Sequence, residues 1–204
     1  MILASHNSWS YARPKHWYMY PFRFITKCQS KNIREQWNSG VRMYDLRVFF
    51  DEAGNILIRH GIMTFNISSV QLYEDLKFLD DKANTGSTVI VRIILEQNHE
   101  NKRQKLMEYY FNIFCSLMEN VYSHINFTEG VRKFDWKTIY HFKASLAPVI
   151  EHKYSSTTAM FGGGNSKWYA KFDDFWPWLY AFIHNDYNFA KYIDNSCYLM
   201  LDFI

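Results

Sequence analysis

The stretch Gly40-Val41-Arg42-Met43-Tyr44-Asp45-Leu46-Arg47-Val48 decides the fold. Side chains alternate across a strand, so Met43, Asp45 and Arg47 fall on one face and Tyr44, Leu46 and Val48 on the other. An acid and a base inside a strand need a polar destination. The C-terminal ends of parallel strands supply one, because barrels and doubly wound sheets build their sites there.

Upstream, Gly40 sits where a left-handed stop is wanted after a short helix at 31–39, in which Asn32 and Glu35 can form a capping box and Ile33 and Trp37 share a face. Before it lie a first strand, Ile2 to Ser5, and an aromatic, basic segment from Trp9 to Lys27 that reads as a long rim loop. Downstream, Ile56, Ile58 and His60 line one face of a strand that stops at Gly61. From Ser69 a helical stripe of Leu72, Leu76, Leu79 and Ala83 runs to Asn84 and Gly86. A strand from Thr88 to Glu96 follows, with Ile90, Arg92, Ile94 and Glu96 on one face. Residues 101–120 read as a helix with Leu106, Tyr110, Ile113 and Leu117 on one side, widened by Met107, Phe114 and Met118. Later expectations are a short strand within Thr138 to Phe142, a loop at Gly162-Gly163-Gly164, a helix around Asp173 to Ile183 and a last strand from Cys197 to Ile204. This alternation is an α/β signature. Eight full strand–helix units usually take about 250 residues. The expected fold is therefore a compact or distorted (β/α) TIM-type barrel, missing some elements.

The 204 residues are most simply one domain, 1–204, since a single core can still grow at that size. The chain is rich in aromatics, with 17 Phe, 15 Tyr and 7 Trp, enough for a packed enzyme core. Its net charge of +3, from 23 Lys and Arg against 20 Asp and Glu, is too small and scattered for a nucleic-acid binder, but it suits an anionic membrane surface. Cys28, Cys115 and Cys197 share no metal-ligand spacing, which argues against a disulfide framework or a structural zinc site. No window holds the roughly 20 apolar residues of a membrane span, and Met1 to Tyr11 lacks the features of a secretory leader. The expected location is cytoplasmic or peripheral to a membrane, or secreted if a leader has been removed.

Four pieces can do chemistry: Ser5-His6-Asn7-Ser8, the strand bearing Asp45 and Arg47, the strand ending in His60-Gly61, and Asp202. Two histidines at one surface can divide base and acid roles near neutrality. Arg47 can hold a phosphate through oriented donors, and Asp45 or Asp202 can orient a histidine. Each has a plainer alternative. His6 and His60 are also natural in loops and turns, Asp45 and Arg47 can form an internal ion pair, Glu96 can cap a helix, and Asp202 can be a core acid.

The segments Ser5 to Ser8, Gln29-Ser30 through Ile33, Glu35-Gln36, Gly40 to Arg47 and Ile58 to Gly61 resemble, in order and spacing, the X region of phosphatidylinositol-specific phospholipases C. The resemblance implies a distorted barrel that cleaves phosphatidylinositol to diacylglycerol and a cyclic inositol phosphate. His6 then matches the general base acting on the inositol 2-hydroxyl, and His60 the general acid for the leaving oxygen. Arg47 matches the phosphoryl contact, supported by Asp45. Leu201-Asp202-Phe203 is similar to the last strand of bacterial members, with Asp202 sustaining His6. Asn7, Arg92 and Glu96 are substrate-binding candidates, although Arg92 can instead neutralise Glu96.

In the calcium-dependent branch, an asparagine after the first histidine, two acids spaced two apart and a later glutamate bind the metal. Asn7, Asp45 and Glu96 would be the calcium ligands here. Arg47, however, stands in place of the second acid, and a guanidinium cannot ligate a cation. No cofactor is therefore expected, and the pattern is that of the metal-independent bacterial type. That type usually carries aspartate where Asn7 stands. The rim segment Trp9 to Tyr20 joins rings to basic residues and either enters a headgroup layer or folds back on the core. The rival functions are another barrel phosphodiesterase, such as a glycerophosphodiesterase, and a non-catalytic lipid-binding protein on the same scaffold.

Overall fold

A computed structural model describes residues 2–96, 103–130, 153–154, 198–201 and 203–204. The first strand, β1 (Ile2–Ser5), is followed by a 3₁₀ segment (Trp17–Phe22) and two short helices, α1 (Arg23–Thr26) and α2 (Ile33–Asn38). The long strand β2 (Val41–Phe50) comes next, then β3 (Ile56–His60), β4 (Met63–Phe65) and helix α3 (Ser69–Asn84). The chain continues through β5 (Ile90–Leu95), helix α4 (Gln104–Val121), β6 (Asn126–Gly130), β7 (Lys153–Tyr154) and β8 (Tyr198–Leu201).

Local chemistry sets the boundaries. Both halves of the Asn32–Glu35 capping box are present at α2, and Gly40 follows it at φ +93°, a value that favours glycine. Ser68 caps α3 by accepting from the Gln71 amide. β8 stops at Leu201, short of the expected Ile204, and Phe203 has left extended geometry with φ +51°.

Strands β6, β5, β2, β1, β8 and β7 lie side by side and parallel in that order. No pairing joins β6 to β7 among the described residues, and the described part of the sheet is mixed and unclosed, a distorted relative of a TIM barrel. The strand ending in His60 does not run with the others. β3 pairs antiparallel to β2 through Val48↔Ile58 and Phe50↔Ile56, and β4 folds back on β3 in turn.

Parallel sheets are covered on both faces, and β2 is buried along nearly its whole length. Tyr44, Leu46 and Val48 join the main apolar cluster with Leu72, Leu76 and Leu79 of α3 and Phe111, Phe114 and Met118 of α4. Met43, Asp45 and Arg47 lie on the opposite face. In α4 the core takes the widening edge of the apolar stripe. Met107, Phe114 and Met118 are buried, whereas Leu106, Ile113 and Leu117 are 41–50% exposed. The elements expected within 138–142, at 162–164 and at 173–183 lie outside the described residues, as does the side chain of Asp202.

Candidate active site

The turn after β1 is stitched to the middle of β2. The Ser8 amide donates to the Asp45 carbonyl at 2.9 Å, the Asp45 amide donates to Ser8 Oγ at 2.8 Å, and the Asn7 amide donates to Asp45 Oδ2 at 3.0 Å. Asn7 adopts φ +44°, a left-handed conformation that asparagine tolerates better than most residues. Two buried glutamines lock the arrangement. Gln36 accepts from Ser5 Oγ and donates to the Ser8 carbonyl, while Gln29 donates to the His6 and Leu201 carbonyls. Both lie within the motif segments, but nothing in their sequence context marked them as the pins of the His6 turn.

Two strands then converge on one edge of β2. β1 pairs with its first half, ending at Ser5↔Tyr44, and β3 comes from the other direction. Continuing the Val48↔Ile58 register brings His60 level with Leu46. The strand ends therefore point at each other across Asp45 to Arg47. The rings of His6 and His60 meet edge to face with centroids 5.7 Å apart.

Arg47 is the hub of the cluster. Its Nε donates to Asp45 Oδ2 at 3.0 Å, Nη1 donates to Glu96 Oε1 at 3.2 Å, and Nη2 lies 2.7 Å from His6 Nε2. A guanidinium has no acceptor, so His6 Nε2 receives this bond and the proton of the neutral ring sits on Nδ1. Burial alone would weaken the Arg47 charge, but Asp45 and Glu96 outweigh it and raise its pKa further. Burial likewise opposes the Asp45 charge, yet Arg47 and Arg92 hold that carboxyl well below the usual range. Arg92, the cross-strand neighbour of Asp45, approaches Asp45 Oδ1 at 3.7 Å. The ion pairs thus join Arg92 to Asp45 and Arg47 to Glu96.

His60 is held by its other ring nitrogen. Nδ1 faces the Thr26 carbonyl at 3.0 Å, and a carbonyl only accepts, so Nδ1 carries the proton and Nε2 keeps the lone pair. Burial, then the Arg47 charge, push its pKa down to about 3. Cys28 Sγ lies 3.8 Å from the same Nδ1. Neither Thr26 nor Cys28 was a sequence candidate, because a backbone acceptor has no residue signature and Cys28 shares no metal-ligand spacing with the other cysteines.

Six of the candidates, His6, Asn7, Asp45, Arg47, Arg92 and Glu96, are buried at one end of the sheet, and partly buried His60 joins them there. Asp202 lies outside the described residues, although the Leu201 carbonyl beside it accepts from the His6 amide at 3.0 Å. Both amide atoms of Asn7 are buried without a hydrogen-bond partner. The Arg47 guanidinium lies between Asp45 and Glu96 and uses an oxygen of each, so a cation there would face a fixed positive charge.

No curated protein matches this sequence significantly. The fold is similar to that of phosphatidylinositol-specific phospholipase C from Listeria monocytogenes, with TM-score 0.60 and 18% identity over 99% of this chain and 87% of that one. It is also similar to a point variant of the enzyme from Staphylococcus aureus, with TM-score 0.56 and 13% identity over 99% and 84% of the two chains. Residues 7–129, more than half of the sequence, match the family described as phosphatidylinositol-specific phospholipase C, X domain, and the chain belongs to that family.

Proposed function

We propose that this protein cleaves phosphatidylinositol to diacylglycerol and a cyclic inositol phosphate without a metal. The observation that carries this reading is the Arg47 fork held between Asp45, Glu96 and His6 beside a second histidine. The nucleophile is the substrate's own 2-hydroxyl, so the protein has only to orient it, take its proton and stabilise phosphoryl charge.

In the free site the His6 lone pair is engaged by Arg47. An arriving phosphate diester attracts Arg47 Nη2, releasing His6 Nε2 to accept the 2-hydroxyl proton. Asp202 is the proposed acceptor for the proton on His6 Nδ1. His60 begins uncharged, and the substrate's negative charge offsets Arg47 enough for Nε2 to pick up the proton it delivers to the glycerol oxygen. The buried Asn7 amide gains its missing partners from the phosphate or an inositol hydroxyl, relieving a desolvation cost of about 1–3 kcal/mol.

The face beside the site supports action at a lipid surface. Trp17, Tyr18, Tyr20, Phe22 and Phe24, leading to the Thr26 that anchors His60, are exposed, as is Ile62 in the turn after His60. Rings of this kind settle in a headgroup layer. No helix among the described residues is long and apolar enough to cross a membrane.

Incubation with phosphatidylinositol vesicles in excess chelator should release cyclic inositol phosphate. Dependence on calcium, or activity only on glycerophosphodiesters, would contradict the proposal. Vesicle binding with no turnover by the folded protein would favour a non-catalytic lipid binder.

A further inference from the structure

One feature of the pocket has no place in phosphodiester cleavage. His6, Cys28 and His60 each bring a ligand atom within 4.8 Å of those of the other two, and Cys28 Sγ is 3.8 Å from His60 Nδ1. His6 is fully buried and Cys28 is 2% exposed, so both are shielded from solvent beside His60. We propose that these three side chains bind zinc, a soft divalent cation, and that the metal holds the histidine pair in an inhibited state.

The ligand chemistry fits. Zinc takes imidazole nitrogen at about 2.0–2.1 Å and thiolate sulfur at about 2.3 Å, which places tetrahedral ligands about 3.3–3.7 Å apart. The Cys28–His60 separation is already close to that range, and the widest separation within the trio needs to close by only about 1 Å. The Arg47 charge that a calcium ion would face is also near this cation, but here the Cys28 thiolate supplies an anionic donor against it, and zinc prefers nitrogen and sulfur to the oxygens calcium needs. If His6 ligates through Nε2, Arg47 gives up that one contact and keeps Asp45 and Glu96. Ligation through His60 Nδ1, the nitrogen facing Cys28, moves that ring's proton to Nε2 and gives up the Thr26 carbonyl.

Charge also closes. Arg47 and Arg92 balance Asp45 and Glu96, so zinc with a Cys28 thiolate adds one positive charge. Three protein ligands leave a fourth position open, and hydroxide or chloride there cancels the excess. On binding, the Cys28 proton is released to solvent. Histidines that donate to a metal cannot shuttle protons, so this inference rests on the phospholipase reading for its inhibitory consequence but not for binding.

Binding is tested without substrate, using the full chain with Cys115→Ser and Cys197→Ser so that Cys28 is the one thiol. Cobalt(II) should bind one per chain, giving tetrahedral absorption with a thiolate-to-metal charge-transfer band that zinc displaces. Cys28→Ser should abolish that band and weaken zinc by more than about 100-fold, the upper end of the loss from an outer-sphere partner alone. Should that variant fail to fold, X-ray absorption on the zinc-loaded parent should find one sulfur and at least two nitrogens. A sulfur-free coordination sphere, or unchanged affinity in Cys28→Ser, would overturn the site. Bound zinc should suppress phosphatidylinositol cleavage and a chelator restore it. Full activity with zinc bound would overturn the inhibitory role, whereas a zinc-binding protein that never cleaves phosphatidylinositol would overturn the phospholipase reading and leave the metal site standing.

Discussion

Asn7 separates a residue kept for folding from one kept for substrate. Its backbone amide anchors Asp45, but both side-chain amide atoms are buried and unpartnered in the free protein. Asn7→Gly retains the backbone donor and suits φ +44°, so thermal stability should hold within about 1 kcal/mol while kcat/KM falls. Unchanged turnover would remove the amide from substrate binding. His60 gives a second test through pH. The unfolded ring protonates near about 6.5, whereas the folded ring stays neutral down to about 3. Between those values the unfolded state holds the extra proton. Stability is therefore full above about 6.5 and falls as the pH drops toward 3. A His60→Gln variant should show a shallower decline of Tm over that window, and an identical decline would contradict the depressed pKa. The sequence revealed both residues as candidates through the motifs around them. It did not reveal the protonation of His60, because that depends on Thr26 and Arg47, which reach the ring only in the fold.

The β3–β4 hairpin is the element that makes the site. Gly61 and Ile62 alone connect the strands, with positive φ only at Gly61, as in a II′ turn. A Cβ at Gly61 would meet nothing within 4 Å, so Gly61→Ala costs only backbone strain, about 1–2 kcal/mol. The displaced His60 should slow cleavage of natural lipid more than that of a substrate with an activated leaving group. Equal slowing of both would indicate general loosening rather than misplacement of the acid. Strand direction was not legible from the sequence, since Ile56, Ile58 and His60 alternate in the same way in either orientation. α3 was legible to its ends because Ser68 and the leucine stripe agree. α4 was not legible to the same degree. Its apolar residues cover too wide an arc for period alone to choose between Ile113 and Phe114 as the buried one.

At the scale of the molecule, the parallel strands were legible through residues such as Asp45 and Arg92, charged yet set in otherwise apolar strands, a pattern that calls for a polar destination within a buried sheet. The rim segment was legible only as two alternatives, and the fold uses both. Trp9 is fully buried and donates to Asp75 at 3.0 Å, while Trp17 is 83% exposed. Replacing Trp17 and Ile62 together with Ala should weaken binding to phosphatidylinositol vesicles while leaving cleavage of a soluble inositol phosphodiester intact. Parallel losses on both substrates would contradict a membrane role for this face. The central claim is that His6 and His60 do opposite proton work on either side of Arg47, and leaving-group chemistry tests it most directly. General acid catalysis contributes about 10²–10⁴-fold, and an activated leaving group such as nitrophenolate scarcely needs it. With kcat/KM measured for phosphatidylinositol and for a nitrophenyl inositol phosphate, His60→Ala should lose far more on the lipid than on the activated ester, and His6→Ala should lose heavily on both. Rescue of His6→Ala rather than His60→Ala by the activated ester would reverse the roles, and undiminished activity of both variants would contradict the account.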